Sequence, residues 1–488
     1  MHLLNLFDSS LIGRSDSVGL EILSSPSRVE TFTFGELEIR SNRLAQLFHS
    51  QGLAQGDRLC AYLPNGLGLI LVYLACIKLG VIFVPVNILY KEREIAQIAG
   101  DAEPRTIVVT RSLSSKAPVW DFSRLETESS HMPSHRTPLR LDADAPAAII
   151  YTSGTTGAPK GAILSHNNFA SNAIALLTCW QMDSSDRFLL CLPLSHVHGL
   201  GNGLHCWLLS GCKLRLWEKF DVETAETVFL DFQPTLFFGV PTIYVRLLKL
   251  HMEVCRQIGH QMRLFVSGSA PLPAEVFKDF QRKFGHSILE RYGMTETLMN
   301  TSNPYAGERR AGTVGRALPG VEIQLLDERG SEVGDNEVGE LYIRGPNVFS
   351  GYWRNSEATG SAFVNGYFRT GDLAMRSPDG YYTICGRKND LIISSGFNIY
   401  PREIEEFLED QDVIAEAAVV GVPDPVRGEV PVAFIVPREN YDPVKIKEIC
   451  HQNLASFKIP QRFVAVSLLP RNALGKIQRH LLLETDSS

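Results

Sequence analysis

Helical and strand-like patterns alternate along this chain, and the alternation narrows the fold before any motif is considered. Apolar residues recur at helical spacing over residues 34–51, and the run VIFVPVN after Gly80 reads as a short buried strand closed at Pro85. Helical patterns over 224–232 and 274–284 then alternate with strand patterns over 235–240 and 263–267. The prediction is a layered α/β architecture. From 321 to 343 the text changes to short β-like runs separated by Asp327, Gly330 and Gly334, continuing through Tyr382, which predicts a β-rich lobe. Beyond GRKND (386–390) the chain restarts with LIISSG as a strand and a helix beginning near Pro401. At 488 residues the chain exceeds what one ordinary core holds. The reading is therefore a large N-terminal domain, 1–386, and a small α+β C-terminal domain, 387–488. The polar, Ser-rich stretch 112–137 reads as a surface loop.

Composition limits the partners. A formal net charge of -7 gives no general attraction for phosphate backbones or anionic lipid, so an anionic ligand has to be held by a local site, and nucleic acid is not expected as a partner. The nine cysteines (Cys60, Cys76, Cys179, Cys191, Cys206, Cys212, Cys255, Cys385, Cys450) include no CxxC pair, which fits a reducing cytosol. The N-terminal text MHLLNLFDSSLIGRSDS lacks a basic region followed by an apolar core and carries Asp8 and Asp16, so no targeting signal is read there. The apolar stretch 67–77 is cut by Lys78 and falls short of the roughly 20 residues of a membrane span; it reads as a buried helix. The expectation is a cytoplasmic protein with no membrane span and no obligate protein partner.

The strongest chemical signal is YTSGTTGAPKG (151–161), which follows the apolar run AAII. Glycines let the backbone turn its N–H groups toward an anion, the hydroxyls of Thr152, Ser153, Thr155 and Thr156 add donors, and Lys160 adds charge, so the loop suits a phosphate. With the motifs RYGMTE (291–296), GYFRTGDL (366–373), GRKND (386–390) and LPRNALGKIQR (469–479) following in order, the chain resembles the adenylate-forming acyl-CoA synthetase superfamily over nearly its whole length.

That resemblance implies ATP, Mg²⁺ and coenzyme A, and assigns roles. Thr152, Ser153, Gly154, Thr155, Thr156, Gly157 and Lys160 would cradle the nucleotide phosphates, and Tyr292, with Gly293 beside it, would stack on adenine. Thr295 would contact the α-phosphate, Glu296 with Thr155 would hold Mg²⁺, Asp372 would accept from the ribose hydroxyls and Arg387 would support the ribose. Lys476 would bridge the reacting carboxylate and α-phosphate, where a cation counters developing negative charge. The family rotates a mobile C-terminal lobe about a hinge, here 387–390, to admit the thiol, and Gly396 would line the pantetheine tunnel. Many relatives carry Asp or Lys where Asn389 stands, and Ser195 replaces the usual aromatic residue before His196, the family histidine near the acyl pocket. Singly, Tyr292, Asp372 or Arg387 would read as a packing aromatic, a cap or a solvated charge; their ordered company gives them meaning.

SGSAPL (267–272), ERYGMTETLMNTSNPY (290–305), HVHGL and GPNVFSGYW are similar to malonyl-CoA synthetases. The implied acid is a small dicarboxylate such as malonate, whose second carboxylate would need a buried cation. Arg246 and Arg291 are the candidates, with Ser267, Gly268 and Met294 around the acyl group. Methylmalonate, a short- or medium-chain monocarboxylate, transfer to a carrier protein, and a catalytically silent nucleotide-binding relative stay open as alternatives.

Overall fold

The computed structural model describes residues 1–25, 28–152, 159–394, 397–424, 427–454, 456, 458–472 and 475–486. Among these, four sheets form. The largest runs parallel through Val18–Ser25, Lys213–Trp217, Arg187–Leu190, Leu236–Gly239, Leu264–Ser267 and Leu289–Met294, and ends in antiparallel strands. A second is parallel at its centre (Arg58–Tyr62, Ile82–Pro85, Thr106–Val109, Pro146–Thr152) and carries Lys160–Ser165 antiparallel beyond Pro146–Thr152. One continuous core contains residues of both sheets and of the helix Leu67–Leu79. That helix is apolar all round and buried from Leu69 onward, as a helix enclosed on every side should be.

The β-rich lobe is the antiparallel sheet of Glu322–Leu326, Val338–Arg344, Tyr367–Arg376 and Tyr382–Arg387. Residues from 392 onward build another five-stranded sheet with its own apolar clusters, covered by the helices Pro401–Glu409 and Pro443–Asn453. The three-residue turn Lys388–Asp390 links the two regions, and Asn389 is exposed in it. No helix of the described residues is long and apolar enough to cross a membrane.

The stretch 112–137 departs from the expected loop. It holds the strand Val119–Asp121, paired parallel with Thr106–Val109, and the helix Phe122–Ser129, capped by the Asp121 carboxylate accepting from the Arg124 N–H. Leu125 and Ser129 are its buried residues, so the apolar repeat is too sparse to be seen in a polar text.

Lys78, which interrupts the apolar helix, is 2% exposed. Its ammonium donates to Glu38 Oε2 at 2.6 Å, Ser41 Oγ at 2.7 Å and Asn42 Oδ1 at 2.6 Å, all on the helix Phe34–Ser50. Burial pulls the Lys78 pKa down to about 8 against the pull of Glu38. Glu38 also accepts from Arg136 Nε at 2.6 Å, and Arg136 reaches Asp8. Removing one member of such a network leaves buried groups unpaired, so Lys78→Met is expected to cost about 3 to 5 kcal/mol, read as a lower melting temperature. Burial opposes ionisation of Glu38, but the hydrogen bonds from Arg136 and Lys78 prevail and hold its pKa at about 2, below the ordinary 4.5. Its contribution is therefore full above about pH 4.5 and lost as the pH falls toward 2; Glu38→Gln should flatten that acid limb.

Candidate active site

The site is organised by the hairpin Leu289–Met294 and Leu298–Ser302. Side chains on a strand alternate in direction, so Arg291 and Tyr292 leave it on opposite faces. Its turn, Thr295 to Thr297, is buried, with Thr295 and Glu296 each 6% exposed. Gly293 permits the closure: a Cβ there would lie 2.0 Å from the Leu298 carbonyl oxygen and 2.5 Å from Met299 Cε. Asn347 pins the turn from outside, donating to the Thr297 carbonyl at 2.6 Å, and the Phe349 N–H donates to the Glu296 carbonyl at 2.8 Å.

On the Tyr292 face the hydroxyl donates to Asp372, which is 4% exposed and also pairs with Arg387 Nε at 2.7 Å. Asp372 and Arg387 are direct partners in the register of Tyr367–Arg376 with Tyr382–Arg387. The Arg387 pKa is raised, chiefly by Asp372 and then by Tyr292 and Glu296 against burial. Met294 is half-buried, its Sδ 4.0 Å from the Tyr292 hydroxyl.

Glu296 connects this face to the Ser/Thr/Gly loop. Its Oε1 accepts from the Tyr352 hydroxyl at 3.0 Å, and Lys160 Nζ stands 5.3 Å from the centre of the Tyr352 ring. Gly351–Tyr352 pairs with Ala162 and Ile163, so the segment that touches Glu296 also borders the loop's outgoing strand. The stems of the loop are Thr152 and Lys160, partners in the ladder, with Thr152 Oγ1 donating to the Lys160 carbonyl at 3.4 Å. Ser153, Gly154, Thr155, Thr156 and Gly157, and likewise Gly396, lie outside the described residues.

The small lobe contributes Lys476. Its turn is fixed by the Asn472 N–H donating to the Lys476 carbonyl at 2.9 Å and the Lys476 N–H donating to Asn472 Oδ1 at 3.0 Å. Gly475 turns the chain at φ +79°. Lys476 is exposed as a residue, but its ammonium lies among charged groups of the large lobe: burial and Arg387 lower its pKa while Asp372 and Glu296 raise it.

On the Arg291 face lies the acyl side of the expected site. Arg291 is 2% exposed, and its Nε and Nη2 have no partner among the described residues. Ser267 Oγ and His198 Nε2 are likewise buried and unpartnered there. Gly268 leaves room for the guanidinium, since a Cβ there would sit 2.3 Å from Arg291 Nη1. Burial pulls the Arg291 pKa down to about 9, so it remains a cation at neutral pH. Glu290 makes no ion pair with it among the described residues: burial lifts that carboxyl to about 8 against the pull of Arg291, and its Oε1 accepts from the Leu272 N–H at 3.1 Å. His196, half-buried, is driven down to about 3 by burial and by the charges of Lys476 and Arg291, and is neutral.

Arg246 is placed otherwise than expected. The helix Pro241–Leu247 buries Pro241, Ile243, Tyr244 and Leu247 and leaves Arg246 exposed, beside exposed Val245. Tyr244 occupies the inward place instead, its hydroxyl donating to the Val266 carbonyl at 2.7 Å. Of the two candidates, Arg291 is the buried one. Sequence reasoning passed over Tyr352, Asn347 and Ser269; GPNVFSGYW contains the first two, but nothing local shows that they reach the Glu296 turn.

A family model described as AMP-binding enzyme matches residues 18–353, and one described as AMP-binding enzyme C-terminal domain matches residues 403–476. The chain is 37% identical over 367 residues to a malonate–CoA ligase of Arabidopsis thaliana; the match takes 69% of this chain and spans only 60% of that relative's length. It is 34% identical over 482 residues to a sulfoacetate–CoA ligase of Cupriavidus necator, covering 94% of each. The ATP-bound crystal structure of MatB from Rhodopseudomonas palustris matches with a TM-score of 0.91 at 36% identity, over 99% of both chains.

The two glycines give opposite expectations. Gly293→Ala drives a Cβ into backbone and should destabilise the fold by about 1 to 3 kcal/mol or more. Gly268→Ala meets the end of one side chain and should leave the melting temperature nearly unchanged while displacing Arg291. Thermal melts of both variants, with a crystal structure of the second, check this.

Proposed function

This chain belongs to the AMP-binding enzyme family, and we propose that it is an ATP-dependent acyl-CoA ligase that activates a small acid bearing a second anionic group, malonate above all, as its acyl adenylate and transfers the acyl group to coenzyme A. The observation that carries the choice of acid is Arg291, a buried guanidinium whose Nε and Nη2 have no partner among the described residues. Leaving a charge buried and unpaired is costly, and a substrate carboxylate beside Arg291 Nε and Nη2 relieves that cost. Two of the relatives fit the reading by name, since malonate and sulfoacetate each carry a second anion.

In the first half-reaction a carboxylate oxygen of the acid attacks the α-phosphorus of ATP, and pyrophosphate leaves. The chain's part is to hold both anions and counter the charge that builds between them. Asp372 and Arg387 take the ribose end beside Tyr292, Thr295 faces the α-phosphate, and Lys476 supplies a cation between phosphate and carboxylate. Glu296 fits a hard divalent cation: it is a buried carboxylate whose one hydrogen bond from another side chain, among the described residues, comes from the Tyr352 hydroxyl, with burial lifting its pKa. Among the described residues no cluster of three or more His, Cys, Asp or Glu could hold a metal alone, so Mg²⁺ would share Glu296 with the phosphates, whose charge it offsets. In the second half-reaction the thiol of coenzyme A attacks the acyl carbon and AMP leaves. Lys476 has then finished its task, and rotation about Lys388–Asp390 withdraws it; in this structure Lys388 donates to Glu340 Oε2 at 2.8 Å.

Pyrophosphate release with ATP, Mg²⁺ and coenzyme A, compared across malonate, methylmalonate, sulfoacetate, acetate, butyrate and octanoate with the thioester detected by mass, tests this reading. Malonyl-CoA is the expected main product; butyryl- or octanoyl-CoA as the main product would remove the dicarboxylate assignment, and no product from any acid would remove the ligase assignment. Lys476→Ala should lower adenylate formation by about 100-fold or more. An unchanged adenylation rate would remove Lys476 from the transition state.

A further inference from the structure

The loop after the strand Leu264–Ser267 adopts a conformation that its sequence does not favour. Ser269 has φ +72°, in the left-handed region that costs an L side chain free energy and that tends to persist where function requires it. In that conformation its Oγ lies 3.1 Å from His198 Nδ1. His198 is 3% exposed, and its other ring nitrogen, Nε2, has no partner among the described residues. Arg291 borders the same loop, its guanidinium resting against Gly268 between Ser267 and Ser269. His198 also begins the π-helical segment His198–His205, a rare geometry that concentrates at functional sites.

Burial and the charge of Arg291 hold the His198 imidazole well below its ordinary pKa, so the ring is neutral. A neutral imidazole has one donor and one acceptor nitrogen, and the partner of one decides the role of the other. We infer that His198 is a specificity-determining residue for the acid: Ser269 Oγ–H donates to Nδ1, the ring proton therefore sits on Nε2, and Nε2–H donates to the substrate's second carboxylate beside Arg291. This inference rests on the dicarboxylate reading above and adds a neutral donor to it. The addition has a chemical reason. A carboxylate has about four acceptor positions, of which Arg291 Nε and Nη2 serve two, and a neutral donor serves a third without placing a second buried cation next to the first.

The test measures KM and kcat for malonate and for butyrate in the wild type, His198→Phe, His198→Gln and Ser269→Ala, with the KM for ATP and the melting temperature as controls. His198→Phe should raise the malonate KM by about 10-fold or more while butyrate is little affected. His198→Gln, whose amide N–H reaches the place of Nε2, should recover most of that loss, and Ser269→Ala should give a smaller change of the same kind. A residue that merely packs would shift both acids, or the melting temperature, and would not be rescued by glutamine. If the phenylalanine variant does not fold, the malonate-to-butyrate ratios of the other two decide: glutamine near wild type with alanine shifted against malonate supports the inference, and any other pair of ratios overturns it. A wild type that prefers malonate, with a ratio that His198→Phe leaves unchanged, overturns this inference alone. A wild type that prefers butyrate overturns the dicarboxylate reading and this inference with it.

Discussion

The close approach of Gly293 to the Leu298 carbonyl is the constraint on which the site depends. It closes the hairpin Leu289–Met294 and Leu298–Ser302 at a tight buried turn and thereby fixes which way each neighbouring side chain points. Because direction alternates along a strand, consecutive residues serve different ligands: Arg291 enters the acyl side, Tyr292 reaches Asp372, and the turn itself presents Thr295 and Glu296. One short motif thus spans both substrates of the proposed reaction. The segment holding Asn347 and Tyr352 fastens this turn to the strand that carries Lys160.

Charge is distributed unevenly across the hairpin, and the unevenness is what gives it chemistry. On the nucleotide face Asp372 and Arg387 satisfy each other. On the proposed acyl face Arg291 has no such partner among the described residues, and the nearest carboxyl in sequence, Glu290, accepts from the Leu272 N–H and is pushed up by burial. Lys476 adds a further cation from the small lobe, placed where Arg291, Arg387, Asp372 and Glu296 all act on it. Three cations gathered with two carboxylates suit a pair of anionic substrates, and in the proposed reaction the movement of one cation with its lobe would let the same pocket serve a second step.

Much of this was legible in the sequence. The helix 274–284 and the strands near 236 and 264 followed from periodicity, and the order of the motifs carried the resemblance and hence the nucleotide side. What stayed hidden was decided by contacts distant in sequence. Arg246, the other candidate for a buried cation, is exposed; a seven-residue helix leaves its phase undetermined from sequence, and Tyr244, two residues earlier, is the buried residue. Tyr352 reaches Glu296 across 56 residues, and no local pattern announces that. Lys78 looked like a break in an apolar run, yet it is buried, because Glu38, Ser41 and Asn42 on another helix receive its three N–H groups. The helix Phe122–Ser129 was missed for the opposite reason, since it buries too little to leave a pattern.

In the proposed reaction Arg291, buried and with Nε and Nη2 unpartnered among the described residues, receives the second anion of the acid. Arg291→Met tests it most directly, since methionine keeps length and apolar packing and removes the charge. The account expects the ratio of kcat/KM for malonate over butyrate to fall by about 100-fold or more, with the KM for ATP unchanged. A ratio equal to that of the wild type, in a variant that still forms butyryl-CoA, would contradict it.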